Sequence, residues 1–131
     1  MSQANVDRVL AAYELFNRTH EADTDLLHRA VLWRTAEDLP DSATHHGHDG
    51  VAKLFSEWFE AFDGFRADVE EAFDAGESVV VVVRLRGRLK ASNEEVLLPE
   101  THVWQIVDGK AVEVHEYRTK TEALKAVGLA E

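Results

Sequence analysis

Two stretches of the chain gather side chains that could move a proton or hold an ion. The first, "AEDLPDSATHHGHDGVAKLF" at residues 36–55, brings Glu37, Asp38, Asp41 and Asp49 close to His45, His46 and His48. Such a set could chelate a metal, relay protons, or simply launch a helix. Neighbouring loop residues rarely converge on one ion, and the chain has no "HExxH" or similar helical pair, so no metal is expected. Imidazole titrates near neutrality, so a single inward-facing histidine would make a proton carrier. The second stretch is "AVEVHEYR" at residues 111–118. Val112, Val114 and Glu116 share one face of a strand by their period of two. If the valines face the core, Glu116 goes with them. A carboxyl drawn into apolar surroundings is harder to ionise and becomes a usable acid or base near neutral pH. The alternative is a frayed strand end, with Glu116 paired to Arg118 or Arg84 near solvent.

The elements that must position these groups follow from periodicity. Val6, Val9, Leu10, Tyr13 and Phe16 recur at helical spacing and predict a helix over about 5–18. Thr24 or Asp25 would cap a short second helix in "EADTDLLHRA". "VLWRT" reads as a strand, and Pro40 and Gly47 break the loop after it. Val51, Leu54, Phe55, Trp58, Phe59 and Phe62 mark a third, amphipathic helix, with Asp49 as its cap and Gly64 as its stop. Beyond Gly64 the period changes to two. "FRADVEEAF", "SVVVVVRLRGRLK", "EEVLLPETHVWQIV" and "AVEVHEYR" read as strands, the last two joined by an Asp-Gly hairpin turn. "TEALKAV" closes the chain as a short helix stopped by Gly128.

Helices first and then an antiparallel meander make an α+β domain, a single one over residues 1–131. The run Val79–Val83 is apolar on both faces, so its outer face should pack on something; a second copy through the outer sheet face is the simplest candidate. Arg84, Arg86, Arg88 and Lys90 share one strand face, expected to be solvated or salt-bridged, with an anion site as the alternative. The hairpin register decides what faces inward. A two-residue turn at Asp108-Gly109 pairs Val103 with Val114 and Thr101 with Glu116 on the inner face, and this register is preferred. A three-residue loop would instead turn His102 and Trp104 inward.

Composition narrows the partners. A net charge of −11 repels phosphate backbones and anionic lipid, so neither nucleic acid nor a membrane surface is expected. No apolar run is long enough to span a bilayer. The N-terminus lacks a signal pattern and cysteine is absent, which makes the cytoplasm the default compartment.

Taken in order, "YELFN", "VLWR", "HGHDGVAKLFSEWFEAFDGF", "FDAGESVVVVVRLRGR", "HVWQIVDGK" and "EYRTKTEALKAVGL" resemble the SnoaL-like branch of the nuclear-transport-factor-2-like superfamily. That superfamily includes ketosteroid isomerase, limonene epoxide hydrolase, scytalone dehydratase and polyketide cyclases. The resemblance implies a curved sheet wrapped round the helices into a cone with an apolar pocket, and dimers through the outer sheet face. It places Glu116 where limonene epoxide hydrolase carries a water-activating acid. A gapless match puts Asp38 on the isomerase's catalytic base, whereas a match anchored on "VLWR" puts Arg34 or Thr35 there. Tyr13 falls near the isomerase's donor tyrosine. The isomerase's acid donor is matched by Thr101, or by His102 if the register slips; neither is a carboxylic acid, which speaks against steroid isomerisation. His46 would stand at the mouth of the cone as the inward histidine.

The expected chemistry is proton transfer on a small apolar, oxygen-bearing molecule by Glu116 or Asp38, with Tyr13 or His46 polarising the oxygen. Phe16, Trp33, Phe55, Trp58, Phe62, Thr101, His102, Val103 and Val114 would line the pocket. Isomerisation, cyclisation, dehydration and epoxide opening all fit, and no organic cofactor is implied. The alternatives are a non-catalytic ligand pocket and a dimeric interaction domain.

Overall fold

The computed structural model describes residues 3–36 and 43–129. Among them the order is α1 (Gln3–Thr19), β1 (Leu27–Arg34), β2 (Thr44–His46), α2 (Gly47–Ala61), β3 (Phe62–Ala75), β4 (Ser78–Leu89), β5 (Glu95–Val107), β6 (Lys110–Tyr117) and α3 (Lys120–Ala126). The strands form one curved, unclosed sheet in the order β2-β1-β6-β5-β4-β3. All neighbours are antiparallel except β1 and β6, which run parallel. The α+β cone expected from the sequence is therefore present, with one parallel seam in its wall.

Three elements differ from the expectations. Residues 24–26 form a turn rather than a second helix; Leu26 and Leu27 donate backbone N–H groups to the Asp23 carbonyl, and the chain goes straight into β1. The third helix starts at Gly47, with His46 at its cap position, so Asp49 sits in its first turn and not at the cap. Gly64 does not stop that helix. Phe62 already has extended backbone, and Gly64 lies inside β3 with φ of 63°, where the β3–β4 register slips. A positive φ is open to glycine at no steric cost, so Gly64 marks an irregularity in the strand.

The core lies between the concave face of the sheet and the two longer helices. Val6, Val9 and Phe16 of α1 and Val51, Leu54 and Phe55 of α2 pack on Val79, Val81 and Val83 of β4 and on Trp104 and Ile106 of β5. The other side of the valine run is covered from within the chain. Val80 packs with Val103 and Ala123 of α3 in a second cluster that Tyr117 and Val127 flank. The two-sided apolar run is thus accounted for at Val80 by the chain's own C-terminal helix and does not by itself require a second copy. Two members of the basic row are salt-bridged, Arg84 to Glu70 and Arg86 to Asp68, which Arg66 also reaches, while Arg88 donates to the Asn93 carbonyl.

The hairpin register is the consequential correction. The turn has two residues, Asp108 and Gly109, both at positive φ, which suits the twist of a tight hairpin. The register then shifts: Ile106 faces Ala111 but Gln105 faces Glu113, leaving Val112 as the extra residue of a β-bulge. Beyond the bulge Trp104 pairs with Val114, His102 with Glu116, and Thr101 with Tyr117. Thr101 and Val103, expected inward, therefore face the α3 side, and His102 and Trp104 face the core. The bulge satisfies both core contacts of β6, because Ala111 and Val114 are three apart and a regular strand would put them on opposite faces.

Strand β3 is a sheet edge whose outward backbone groups need partners. Asn17 of α1 supplies them, its Nδ2 donating to the Ala67 carbonyl at 2.8 Å and its Oδ1 accepting from the Ala67 N–H at 2.9 Å. Asn17→Ala is expected to lower stability by about 1–3 kcal/mol, the cost of leaving half-buried polar groups unmatched, as read by urea unfolding. A loss within error would show that water replaces the amide.

Candidate functional site

Strand alternation beyond the bulge brings Glu100, His102 and Trp104 of β5 onto the face that Glu116 of β6 shares. Trp33 arrives from β1, whose parallel register sets it beside Val114. Tyr13 arrives from the core-facing side of α1. Glu100, His102 and Glu116 are each at most 3% exposed. The hydrogen bonds form one chain. The Trp104 indole N–H donates to the Tyr13 hydroxyl at 2.8 Å, and that hydroxyl meets His102 Nδ1 at 2.7 Å. His102 Nε2 meets Glu100 Oε1 at 2.9 Å. Separately, the Trp33 indole N–H donates to Glu116 Oε2 at 2.8 Å, and that oxygen stands 4.0 Å from His102 Nε2.

Proton counting assigns the resting tautomer. With one proton on Nε2, His102 donates to Glu100 and accepts from Tyr13, and Tyr13 accepts from Trp104, so every donor has an acceptor. A second proton on Nδ1 would reverse the Tyr13 bond and leave the phenolic hydrogen without an acceptor among the described residues. Electrostatics pull the other way. Burial opposes a charged imidazole, but the hydrogen bond to Glu100 and the charges of Glu116 and Glu100 outweigh it and raise the His102 pKa. Burial also raises Glu116, to about 7, reinforced by the Glu100 charge and opposed by His102 and by the Trp33 hydrogen bond. Tyr13 rises well above its ordinary value, chiefly through burial, and so stays a neutral hydroxyl. The cluster thus holds protons tightly and has one carboxyl poised near neutral pH.

Two spaces adjoin this cluster. The deep apolar hollow walled by Tyr13, Phe16, Trp33, Phe55, Trp58 and Trp104 has a volume of only about 40 Å³, because the rings fill it. A larger cavity of about 490 Å³ opens beside it, between α2 and the sheet. Glu100 and Glu116 lie in its wall with Leu54, Trp58, Phe62 and Phe65. The empty cone expected from the sequence is therefore split: aromatic rings close its centre, and the open volume is a side cavity with the two acids in its wall.

The expected residues fall as follows. Glu116, Tyr13, His102 and Trp33 meet in the cluster. Phe16 and Phe55 form aromatic core, Trp58 borders both spaces, Phe62 lines the larger one, and Val114 is buried in the core opposite Trp104. Thr101 and Val103 face away. Asp38 lies outside the described residues. The three loop histidines go separate ways. His48 Nε2 meets the Leu27 carbonyl at 2.8 Å, and His46 is exposed opposite Leu32. His45, opposite Trp33, is the one that lines the cavity, so β2 alternation turns His45 inward instead of His46.

Glu100 was not among the expected site residues; its signal is the period of two running Glu100, His102, Trp104, legible once His102 is known to face in. Glu100, His102 and Glu116 are also the described residues whose donor atoms lie close enough to converge on a metal ion, all within 4.8 Å. An ion there would have to replace the His102–Glu100 hydrogen bond.

A profile of the SnoaL-like domain matches residues 6–114. The chain belongs to the SnoaL-like domain family. Its fold recurs in solved structures at low sequence identity. An NTF2-like protein of unknown function from Burkholderia pseudomallei is 24% identical, with 94% of this chain and 96% of that one covered and a TM-score of 0.75. A protein from Jannaschia given the name SnoaL-like polyketide cyclase is 20% identical, with 99% and 94% covered and a TM-score of 0.74. A ketosteroid isomerase-like fold from Catenulispora acidiphila, in complex with trimethylamine, is 14% identical, with 92% of each chain covered and a TM-score of 0.74. A search of curated sequences finds no match. No helix among the described residues of this SnoaL-like chain is long and apolar enough to cross a membrane.

Glu116 links the cluster to stability. Its pKa rises from 4.5 to about 7 on folding, so between those values the folded state binds more protons than the unfolded state. Stability therefore falls as pH rises through that window. Glu116→Gln removes the penalty. The variant is expected to gain on the order of 2–3 kcal/mol over the parent protein above about pH 8 and to match it near about pH 4, measured by urea unfolding across pH. A variant that is less stable at high pH would show that the ionised carboxylate is stabilising.

Proposed function

We propose that this SnoaL-like protein catalyses proton transfer on a small, largely apolar, oxygen-bearing molecule held in the cavity between α2 and the sheet, with Glu116 as the general base. The single observation that carries this reading is a buried carboxyl with its pKa near 7 in the wall of a cavity of about 490 Å³. A base is most effective when its pKa lies near the working pH, and a carboxyl at its ordinary value would be too weak.

In this reading the ionised Glu116 removes a proton from carbon or from a bound water. His102 Nε2 donates to Glu100 and stands 4.0 Å from Glu116, so in this reading it positions the two acids from behind the cavity wall. Glu100 holds the imidazole from Nε2, and Tyr13, itself anchored by Trp104, holds it from Nδ1. Tyr13 is then a positioning residue that fixes tautomer and orientation. Leu54, Trp58, Phe62 and Phe65 give the apolar body of the substrate its surface and exclude water. Asp38 remains a second candidate base on resemblance alone, and Asp38→Asn belongs in the same assay. The polyketide-cyclase name carried by the Jannaschia relative is consistent with this reading.

The test is hydrogen–deuterium exchange at carbon. A bicyclic ketone such as 2-tetralone, incubated with the protein in deuterated buffer at neutral pH, should lose its α-proton signal faster than in buffer alone. Glu116→Gln should cut the enzymatic excess by on the order of 10²–10⁴. His102→Gln should lower the rate and leave ligand binding in place. Binding without any exchange would favour a non-catalytic pocket. Exchange unaffected by Glu116→Gln would remove Glu116 as the base.

A homodimer through the outer sheet face belongs to the same proposal. Its support is the apolar surface of that face beyond α3, where Leu97 is 48% exposed on β5. Sedimentation at micromolar concentration should give twice the chain mass, and a monomer would refute it.

A further inference from the structure

We infer that the ligand taken by the larger cavity is cationic at one end: an organic amine in its ammonium form, joined to an apolar or aromatic body. The inference rests on the reading that this cavity is the site, and it adds the ligand's charge.

The acids come first. Glu100 and Glu116 both lie in the cavity wall, each nearly fully buried. An ionised carboxylate accepts at about four positions. Among the described residues Glu116 receives one hydrogen bond, from the neutral Trp33 indole, and Glu100 one, from His102. Oε1 of Glu116 and Oε2 of Glu100 have no donor from the described residues. Two buried carboxyl groups so thinly supplied with donors are costly to ionise, and the cost falls when a positive group with several N–H donors reaches them. An ammonium carries three such donors; an alcohol carries one, and a carboxylate none.

The surroundings agree. A third carboxylate, Glu57, stands in the same wall. The basic residue of the wall, Arg86, is already engaged by Asp68 at 3.2 Å. His45 also stands in the wall, and His102 is held between Tyr13 and Glu100. Trp58, Phe62 and Phe65 supply aromatic surface, whose electron-rich faces attract cations and accept an apolar body equally well. The net charge of −11 biases the long-range field the same way: it draws cations toward the protein and repels anions.

Three commercial ligands of similar size and different charge separate the possibilities: 2-phenylethylamine, 2-phenylethanol and 3-phenylpropanoate. Their affinities for the intact wild-type protein are read by calorimetry or ligand-observed NMR at about pH 8, where the alkylamine keeps its proton and Glu116 is largely ionised. The amine is expected to bind at least about tenfold more tightly than the alcohol, and the propanoate more weakly than both. The preference should fall with added salt. Glu100→Gln and Glu116→Gln, each shown folded by circular dichroism, should shrink the amine-to-alcohol ratio towards one. Amine and alcohol of equal affinity, a preference for the propanoate, or no binding of the amine would each overturn the inference. So would an amine preference that both variants retain. The wild-type series needs no variant, so a variant that fails to fold does not rescue the idea. Equal binding of amine and alcohol would leave the cavity as a ligand site and leave the proton-transfer reading to its own exchange assay.

Discussion

One extra residue in the last hairpin sets the chemistry of this protein. Val112 bulges out of β6, and from that point the alternation of the strand is reset against β5. Ala111 and Val114 can then both reach the core, and Glu116 follows Val114 inward to lie beside His102. A hairpin without the bulge would aim His102 and Trp104 at one face and Glu116 at the other. The buried acid–imidazole–acid group exists because the local twist and slip of a β-bulge reconcile two apolar contacts three residues apart.

Burying two carboxylates and an imidazole is expensive, and the structure limits the cost in particular ways. Trp33 and Trp104, packed edge to face, contribute indole N–H donors, one to Glu116 and the other to Tyr13. Tyr13 passes the hydrogen-bond chain on to His102, which passes it to Glu100. The same rings fill the middle of the cone, so the polar groups are held in a stiff aromatic frame. Among the described residues one oxygen of each acid has no donor, and both acids lie in the wall of the larger cavity. Burial and the neighbouring Glu100 charge raise the Glu116 pKa to about 7.

The rest of the fold serves this arrangement at a distance. Asn17 ties α1 to the edge strand β3 and so fixes the helix that carries Tyr13. Helix α3 covers Val80 and Val103, which lets β4 and β5 stay apolar on both faces and hold the register firmly. The parallel seam between β6 and β1 places Trp33 beside Val114, within reach of Glu116. Short β2 pairs with β1 and turns His45 toward the cavity rim.

Much of this was legible in the residues. Periodicity marks α1, α2 and the four long strands, because a buried face imposes its spacing on the sequence whatever it packs against. The family resemblance supplies their order round a cone. The inward course of Glu116 follows from sharing a face with Val114, and Tyr13 from sharing one with Phe16. Other features could not be read locally. Thr24 and Asp25 have the chemistry of a helix cap, yet the chain there turns into β1, since the sheet offers Leu27 and Val31 a better burial. The choice of His102 over Thr101, and of His45 over His46, depends on strand registers. Register is settled by contacts between segments far apart in the chain, and a slip of one residue exchanges every side chain between faces. Composition and spacing thus determine which elements form and which residues are able to do chemistry. Only the packing of the sheet against its helices decides which of them meet, because that is where the competing demands of distant core contacts are resolved.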